Sequence, residues 1–385
     1  MEYKEILEKA RGIIGPYCKA CPVCNGKACG NAMPGPGSKP PGNGAARNYN
    51  AWQDICVNMD TICENTEPDT TFTLFGRNFT LPVFAAPIGA LKMHYSEAYD
   101  DFAYNDIIIH TCAEAGIAAF TGDGVDPGVM KRSAAAMTKV GGVGIPTIKP
   151  WNIEAVLEKL DILNASGIFA AAMDIDGAGL PFLKKMNPNA GSKSVRDLRE
   201  IITYSKLPFI IKGVMTARGA EKAVEAGAAG IVVSNHGGRV LGQCAATAEV
   251  LPEIVRAVSG KTVIFVDGGI RSGVDVFKAL ALGADAVLIG RPFVSMVYGG
   301  EAQAVKFLID MIGAELRDTM TMCGAHSLKE ITRDKIFIPG QYTDDTLQAS
   351  IVCSSSSSIL SDEMRSQSFT GASRLSDVQA IQITS

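Results

Sequence analysis

Four times along the chain a helix-length segment ends in glycine and an apolar run follows at once. Cys112-Ala-Glu-Ala-Gly116 precedes Ile117-Ala-Ala-Phe-Thr-Gly122, and Leu163-Asn-Ala-Ser-Gly167 precedes Ile168-Phe-Ala-Ala-Ala-Met-Asp174. The pattern recurs where Ala223-Val-Glu-Ala-Gly227 leads into Gly230-Ile-Val-Val-Ser234, and where Leu280-Ala-Leu-Gly283 leads into Ala286-Val-Leu-Ile-Gly290. Each glycine suits a helix C-cap with positive φ, and each run suits a strand buried on both faces. Four further runs lie between these units: Val83–Gly89, Val143–Ile148, Pro208–Gly213 and Val263–Gly268. Eight short strands alternating with helical segments predict a parallel (β/α)₈ barrel, an α/β TIM barrel. The structural alternative is a doubly wound open sheet, but no Gly-x-Gly-x-x-Gly opens the first βα unit.

A barrel places its chemistry at the carboxyl ends of its strands. Those ends read Pro87-Ile88-Gly89, Thr121-Gly122-Asp123, Lys149, Asp174 with Asp176, Lys212-Gly213, Ser234-Asn235-His236, Asp267-Gly268-Gly269 and Gly290-Arg291. Charged groups are seldom buried without partners, so this convergence on one rim is hard to explain by packing alone. The hexapeptide Ser234-Asn-His-Gly-Gly-Arg239 offers a proton acceptor and a carboxylate-binding guanidinium three residues apart. After the last two strands, Gly268, Gly269, Arg271, Gly290 and Arg291 supply bare backbone and two guanidinium groups, a phosphate-binding arrangement.

A formal net charge of −4 with no basic run argues against nucleic acid as the main partner. No apolar stretch reaches the roughly 20 residues that span a bilayer, and Met1-Glu2-Tyr3-Lys4-Glu5 lacks a signal peptide's apolar stretch. No membrane association and a cytoplasmic location are expected. Ten cysteines in 385 residues are too sparse for a disulfide scaffold. The expected organisation is a Cys-rich amino-terminal segment over residues 1–69 packing on the barrel, the barrel over 70–340, and a polar, flexible tail over 341–385 containing Ser354–Ser358.

Ile210-Ile-Lys-Gly-Val214, Ile231-Val-Val-Ser-Asn-His-Gly-Gly-Arg239, Val266-Asp-Gly-Gly-Ile-Arg271 and Ile289-Gly-Arg-Pro292 closely resemble the FMN-dependent α-hydroxy-acid dehydrogenase/oxidase family. The resemblance implies FMN as cofactor and oxidation of a small 2-hydroxy acid to a 2-oxo acid. It implies His236 as general base, Asp176 orienting it and Arg239 gripping the substrate carboxylate. Lys212 would lie near flavin N1 and O2, Ala86, Pro87 and Gly89 along the flavin, and Ser234 beside its rings. Asp267, Gly268, Gly269, Arg271, Gly290 and Arg291 would form the segments that hold the cofactor and its phosphate. A homo-oligomer, with a tetramer favoured, is also implied. The electron acceptor stays open among oxygen, a quinone and a protein.

The chain departs from the family at the substrate. A second carboxylate-binding arginine is missing after the fourth strand, where Gly177-Ala-Gly-Leu-Pro-Phe-Leu-Lys-Lys185 stands. Lys184 or Lys185 is the nearest substitute, though an ammonium cannot reproduce a bidentate fork. The glutamine and tyrosine of the third strand and an amino-terminal tyrosine are also absent. His94, His110 and His326 have no comparable setting and are expected to be structural. Cys18, Cys21, Cys24 and Cys29, spaced C-x₂-C-x₂-C-x₄-C, would suit an iron–sulfur cluster or zinc, redox-active or substrate-facing thiols, or plain structural cysteines. The rival functions are an FMN barrel with an isopentenyl-diphosphate-isomerase-like substrate and a non-catalytic flavin-binding protein.

Overall fold

The expected strands form and close into a ring. The computed structural model describes residues 2–124, 126–187 and 189–340. The Ser-rich tail expected after residue 340 lies outside the described residues. The barrel strands are β1 (Val83–Ala85), β2 (Phe120–Thr121), β3 (Ile145–Ile148), β4 (Ala171–Asp174), β5 (Phe209–Val214), β6 (Gly230–Val233), β7 (Val263–Val266) and β8 (Ala286–Ile289). Each pairs in parallel with its sequence neighbour from β2 to β8, and β8 pairs with β1. A parallel bridge from Ala85 to Ala119 completes the circuit between β1 and β2.

The glycine punctuation works as its sequence position suggests. Helix Ala217–Ala226 stops at Gly227 with φ 96°, a left-handed conformation that a β-carbon would strain. The next strand begins three residues later. At its other end the helix is capped by Thr216, whose side chain accepts from Gly219 N–H. Such caps keep each crossover short, so each strand's carboxyl end is held at the rim.

The barrel interior is filled by large side chains. Phe84, Phe120 and Phe265 meet edge to face, with ring centroids 5.7 to 6.2 Å apart. Each is fully buried, and truncating one would cost about 3–5 kcal/mol. A hairpin, Phe72–Leu74 paired with Arg77–Phe79, closes the amino-terminal end of the barrel; Phe79 packs on Phe84 at 5.1 Å. The carboxyl end is the end left for a ligand.

Two outer pieces complete the molecule around the barrel. Helix Gly44–Gln53 brings Trp52 to the carboxyl end of β7, where its indole N–H donates to Gly268 O at 2.8 Å. Helix Tyr3–Ile13 packs on the long helix Arg291–Met322. Their approach is so close that a β-carbon on Gly299 would stand 2.3 Å from Ile6 O. No described helix is long and apolar enough to cross a membrane.

Candidate active site

β6 leaves the barrel at Ser234, and hydrogen bonds to two side chains fix the turn beyond it. Ser234 Oγ accepts from Lys212 Nζ at 3.0 Å and from His236 N–H at 3.1 Å. Asn235 Oδ1 accepts from Gly238 N–H at 3.0 Å and from Asn48 at 2.7 Å. Together these bonds hold His236 at φ 57°, a backbone conformation that costs about 1–2 kcal/mol for a residue with a β-carbon. The strain aims the imidazole at Asp176, whose Oδ1 lies 3.0 Å from Nδ1. With Asp176 accepting there, the neutral ring carries its proton on Nδ1 and leaves the Nε2 lone pair free.

The charges around this pair set its titration. Burial, followed by the positive charges of Lys212 and Lys149, holds His236 well below the ordinary histidine value. Burial likewise raises the Asp176 carboxyl, against the opposing pull of Lys212 and Lys149. Lys212 stays charged although it is buried. Burial works against its ammonium, but Asp267, Asp176 and Asp174 outweigh that cost and raise its pKa. Lys149, at the end of β3, is ion-paired with Asp174.

All of this opens into one cavity of about 230 Å³ at the carboxyl rim. Its lining includes the expected Ala86, Pro87, Gly89, Lys212, His236, Arg239, Asp267, Gly268, Gly269, Arg271, Gly290 and Arg291. Asp176 stands behind His236. Ser234 is fully buried and is not among the lining residues. It braces the lysine and the histidine from behind the wall.

At one end of the cavity the donors outnumber the acceptors. Among the described residues, the N–H groups of Gly268, Gly269, Gly290 and Arg291 donate to no protein acceptor. Gly290 also caps the amino terminus of the long helix Arg291–Met322, where the helix dipole favours an anion. Arg271 and Arg291 stand beside them, each partly engaged: Arg271 Nε donates to Cys24 O at 2.7 Å, and Arg291 Nε to Pro36 O at 2.9 Å. This donor set fits the phosphate of a flavin mononucleotide. Farther along, Asp267 Oδ1 is buried without a partner and Lys212 presents a cation, which suits the polar edge of the flavin ring.

The other end suits an apolar ligand with an acidic group. Leu180, Phe182, Leu183, Met186 and Met93 form its wall. Arg239 stands half-buried beside them, its Nε buried without a partner, and burial lowers its pKa to about 10. His94, expected to be structural, lines this same cavity and is only 4% exposed. Its ring lies against Arg239 because the segment after β1 folds back over the rim. His110 and His326 instead meet backbone carbonyls, of Asp106 and Glu64. Lys185 is exposed and is not among the lining residues, so it does not replace the missing arginine.

The four amino-terminal thiols do not gather around an ion. Among the described residues, the one set of three or more acidic, histidine or cysteine ligand atoms within 4.8 Å of one another is Asp174, Asp176 and His236. A tetrahedral zinc site needs its sulfurs about 3.8 Å apart, so no zinc cage is preformed. Burial pushes the Cys18 thiol up to about 11, which keeps it protonated at neutral pH.

Known proteins are similar over most of the chain. Residues 37–178 and 181–337 match the family model described as FMN-dependent dehydrogenase. The chain is 34% identical over 323 residues to glycolate oxidase of Spinacia oleracea, covering 76% of this chain and 86% of that protein. It is 32% identical over 323 residues to a peroxisomal (S)-2-hydroxy-acid oxidase of Oryza sativa subsp. japonica, covering 76% and 87%. The solved structure of mandelate oxidase superposes with a TM-score of 0.69 at 25% identity, covering 86% of this chain and 96% of that one. A mandelate oxidase variant with a monooxide FMN adduct gives 0.63 at 29% identity, covering 75% and 90%. A match that runs through all eight strands and both arginines of the phosphate end leaves one assignment: the chain belongs to the FMN-dependent dehydrogenase family.

Proposed function

We propose that the protein oxidises a 2-hydroxy acid with an apolar side chain to the 2-oxo acid, using FMN. One observation carries the reading: a neutral histidine held by a buried aspartate shares a cavity with an arginine that has no carboxylate partner. The substrate carboxylate pairs with Arg239, and the hydroxyl is turned toward His236. Nε2 takes the hydroxyl proton, and Asp176 stabilises the imidazolium that results. When bound, FMN supplies the two-electron acceptor for the hydrogen leaving C2. Lys212 places a positive charge where negative charge gathers on that acceptor, while Gly268, Gly269, Arg271, Gly290 and Arg291 hold its phosphate. The wall of Leu180, Phe182, Leu183 and Met186 receives the substrate side chain.

The test is anaerobic mixing of the FMN-loaded protein with a panel of 2-hydroxy acids while the visible flavin band is followed. Bleaching is expected, faster with acids bearing bulky apolar side chains than with glycolate. His236→Ala retains FMN and abolishes it. If no 2-hydroxy acid bleaches the wild-type flavin, the reading fails.

A further inference from the structure

We propose that His94 is a substrate-binding residue: its Nε2–H and the guanidinium of Arg239 together hold the carboxylate of the 2-hydroxy acid. The proposal rests on the function proposed above and names the second half of its carboxylate clamp. Gly35 N–H donates to His94 Nδ1 at 3.2 Å, which leaves the proton of the neutral ring on Nε2. Arg239 Nη2 lies beside the ring, 3.2 Å from that nitrogen and 3.3 Å from Nδ1. Among the described residues, the Nε2–H meets no protein acceptor. Arg239 Nε is another donor, buried with nothing to receive it, and among the described residues Arg239 makes no salt bridge. Buried donors without acceptors are costly, and the two oxygens of a carboxylate can accept from Arg239 Nε–H and from the His94 Nε2–H.

The surroundings keep the imidazole neutral. Burial lowers the pKa of His94 to about 3, and the positive charges of Arg239, Lys149 and a protonated His236 act in the same direction. The ring of Phe182 packs against it with centroids 5.8 Å apart. A neutral donor has an advantage over a second arginine at this position. Another cation beside His236 would depress the base still further and oppose its taking a proton, in a site where Lys149 and Lys212 already press in that direction. Histidine supplies the missing hydrogen bond without that charge. Its other nitrogen, tied to Gly35, also fixes the ring by means of the amino-terminal segment.

The experiment compares wild type, His94→Ala and His94→Gln by anaerobic rapid mixing, which separates the substrate dissociation constant from the limiting rate of flavin reduction. His94→Ala should raise the dissociation constant about 10- to 100-fold, the loss of one hydrogen bond to a charged group. The limiting rate should change by less than about threefold, because His236 and Asp176 are untouched. Glutamine offers both an acceptor for Gly35 and a donor for the carboxylate, so it should restore most of the affinity. Wild-type affinity should also stay level from about pH 5.5 to 8; a histidine that must be cationic would lose affinity as pH rises through about 6.5. An unchanged dissociation constant in His94→Ala, or a defect that glutamine does not rescue, overturns the proposal. Oxalate titration, read from the shift of the flavin band, separates this result from failure of the functional reading. If no 2-hydroxy acid reduces the wild type, the donor pair still stands if oxalate binds and His94→Ala weakens it, and falls if it does not.

Discussion

Replacing Asp176 by asparagine preserves shape and removes one charge, and the site's geometry sets how much that charge is worth. Asp176 Oδ1 lies 3.0 Å from His236 Nδ1. Two unit charges at that separation, with an effective dielectric constant of about 20, attract by about 5.5 kcal/mol. This attraction exists only once His236 has taken the substrate proton, so its loss falls on the transition state. At 1.36 kcal/mol per decade, about 5.5 kcal/mol corresponds to about four decades of rate. A second effect acts in the same direction. The asparagine amide can donate to Nδ1, which moves the ring proton to Nε2 and blocks the lone pair that must accept the hydroxyl proton; a misplaced tautomer in a histidine–aspartate pair costs about 10⁴. Lys212 and Lys149 already oppose the imidazolium and remain in place. The expected outcome is a fall of about 10³ to 10⁴ in the limiting rate of flavin reduction, measured by anaerobic stopped flow. FMN content and substrate affinity should hold, because the phosphate end and Arg239 are unaltered. Reduction of the Asp176→Asn protein within about tenfold of the wild-type rate would refute the orienting role.

The pH profile has its origin in the same electrostatics. The reaction needs a neutral His236, and burial with Lys212 and Lys149 depresses its pKa, so the acid limb of flavin reduction should lie below the ordinary histidine value of about 6.5. A limb at or above that value would contradict the assignment. Removing either phosphate-end arginine, by Arg271→Gln or Arg291→Gln, should weaken FMN binding about 10- to 100-fold through loss of charge-assisted hydrogen bonds, read from flavin fluorescence on titration of the apoprotein. Unchanged affinity in both would place the phosphate elsewhere. Gly269→Ala tests the close packing under that loop: the added carbon would stand 2.3 Å from Asn48 O at a backbone φ of 88°, so urea unfolding should show a loss of about 2–4 kcal/mol. A loss below about 0.5 kcal/mol would mean that the helix carrying Asn48 yields freely.

The barrel and most of its rim are legible in the sequence for a local reason. A βα unit is a short-range object: the helix, its capping glycine and the buried strand occupy one stretch of chain, and the strand's end marks the rim. Lys212, His236 and Arg291 stand at or just beyond such ends, and the fold delivers them to one cavity without any long-range information being needed. Where the chemistry depends on a partner far along the chain, the signal weakens. Ser234 is legible as part of the site, but its task of bracing Lys212 and the His236 backbone is set by which way β5 and β6 lean together. The cysteine motif is the opposite case. Regular spacing along the chain does not make sulfurs converge in space, because the loop's path is governed by its own anchors, such as the bond from Arg271 to Cys24 O. His94 is the hardest case, since its flanking residues carry no motif. Its setting is made by Arg239, 145 positions later, and by Gly35, 59 positions earlier. A residue whose environment is assembled from three distant segments has no local signature to read. The proposed substrate contacts are of that kind, whereas the residues proposed to hold the cofactor lie at strand ends, and so the cofactor is legible from sequence where the proposed clamp is not.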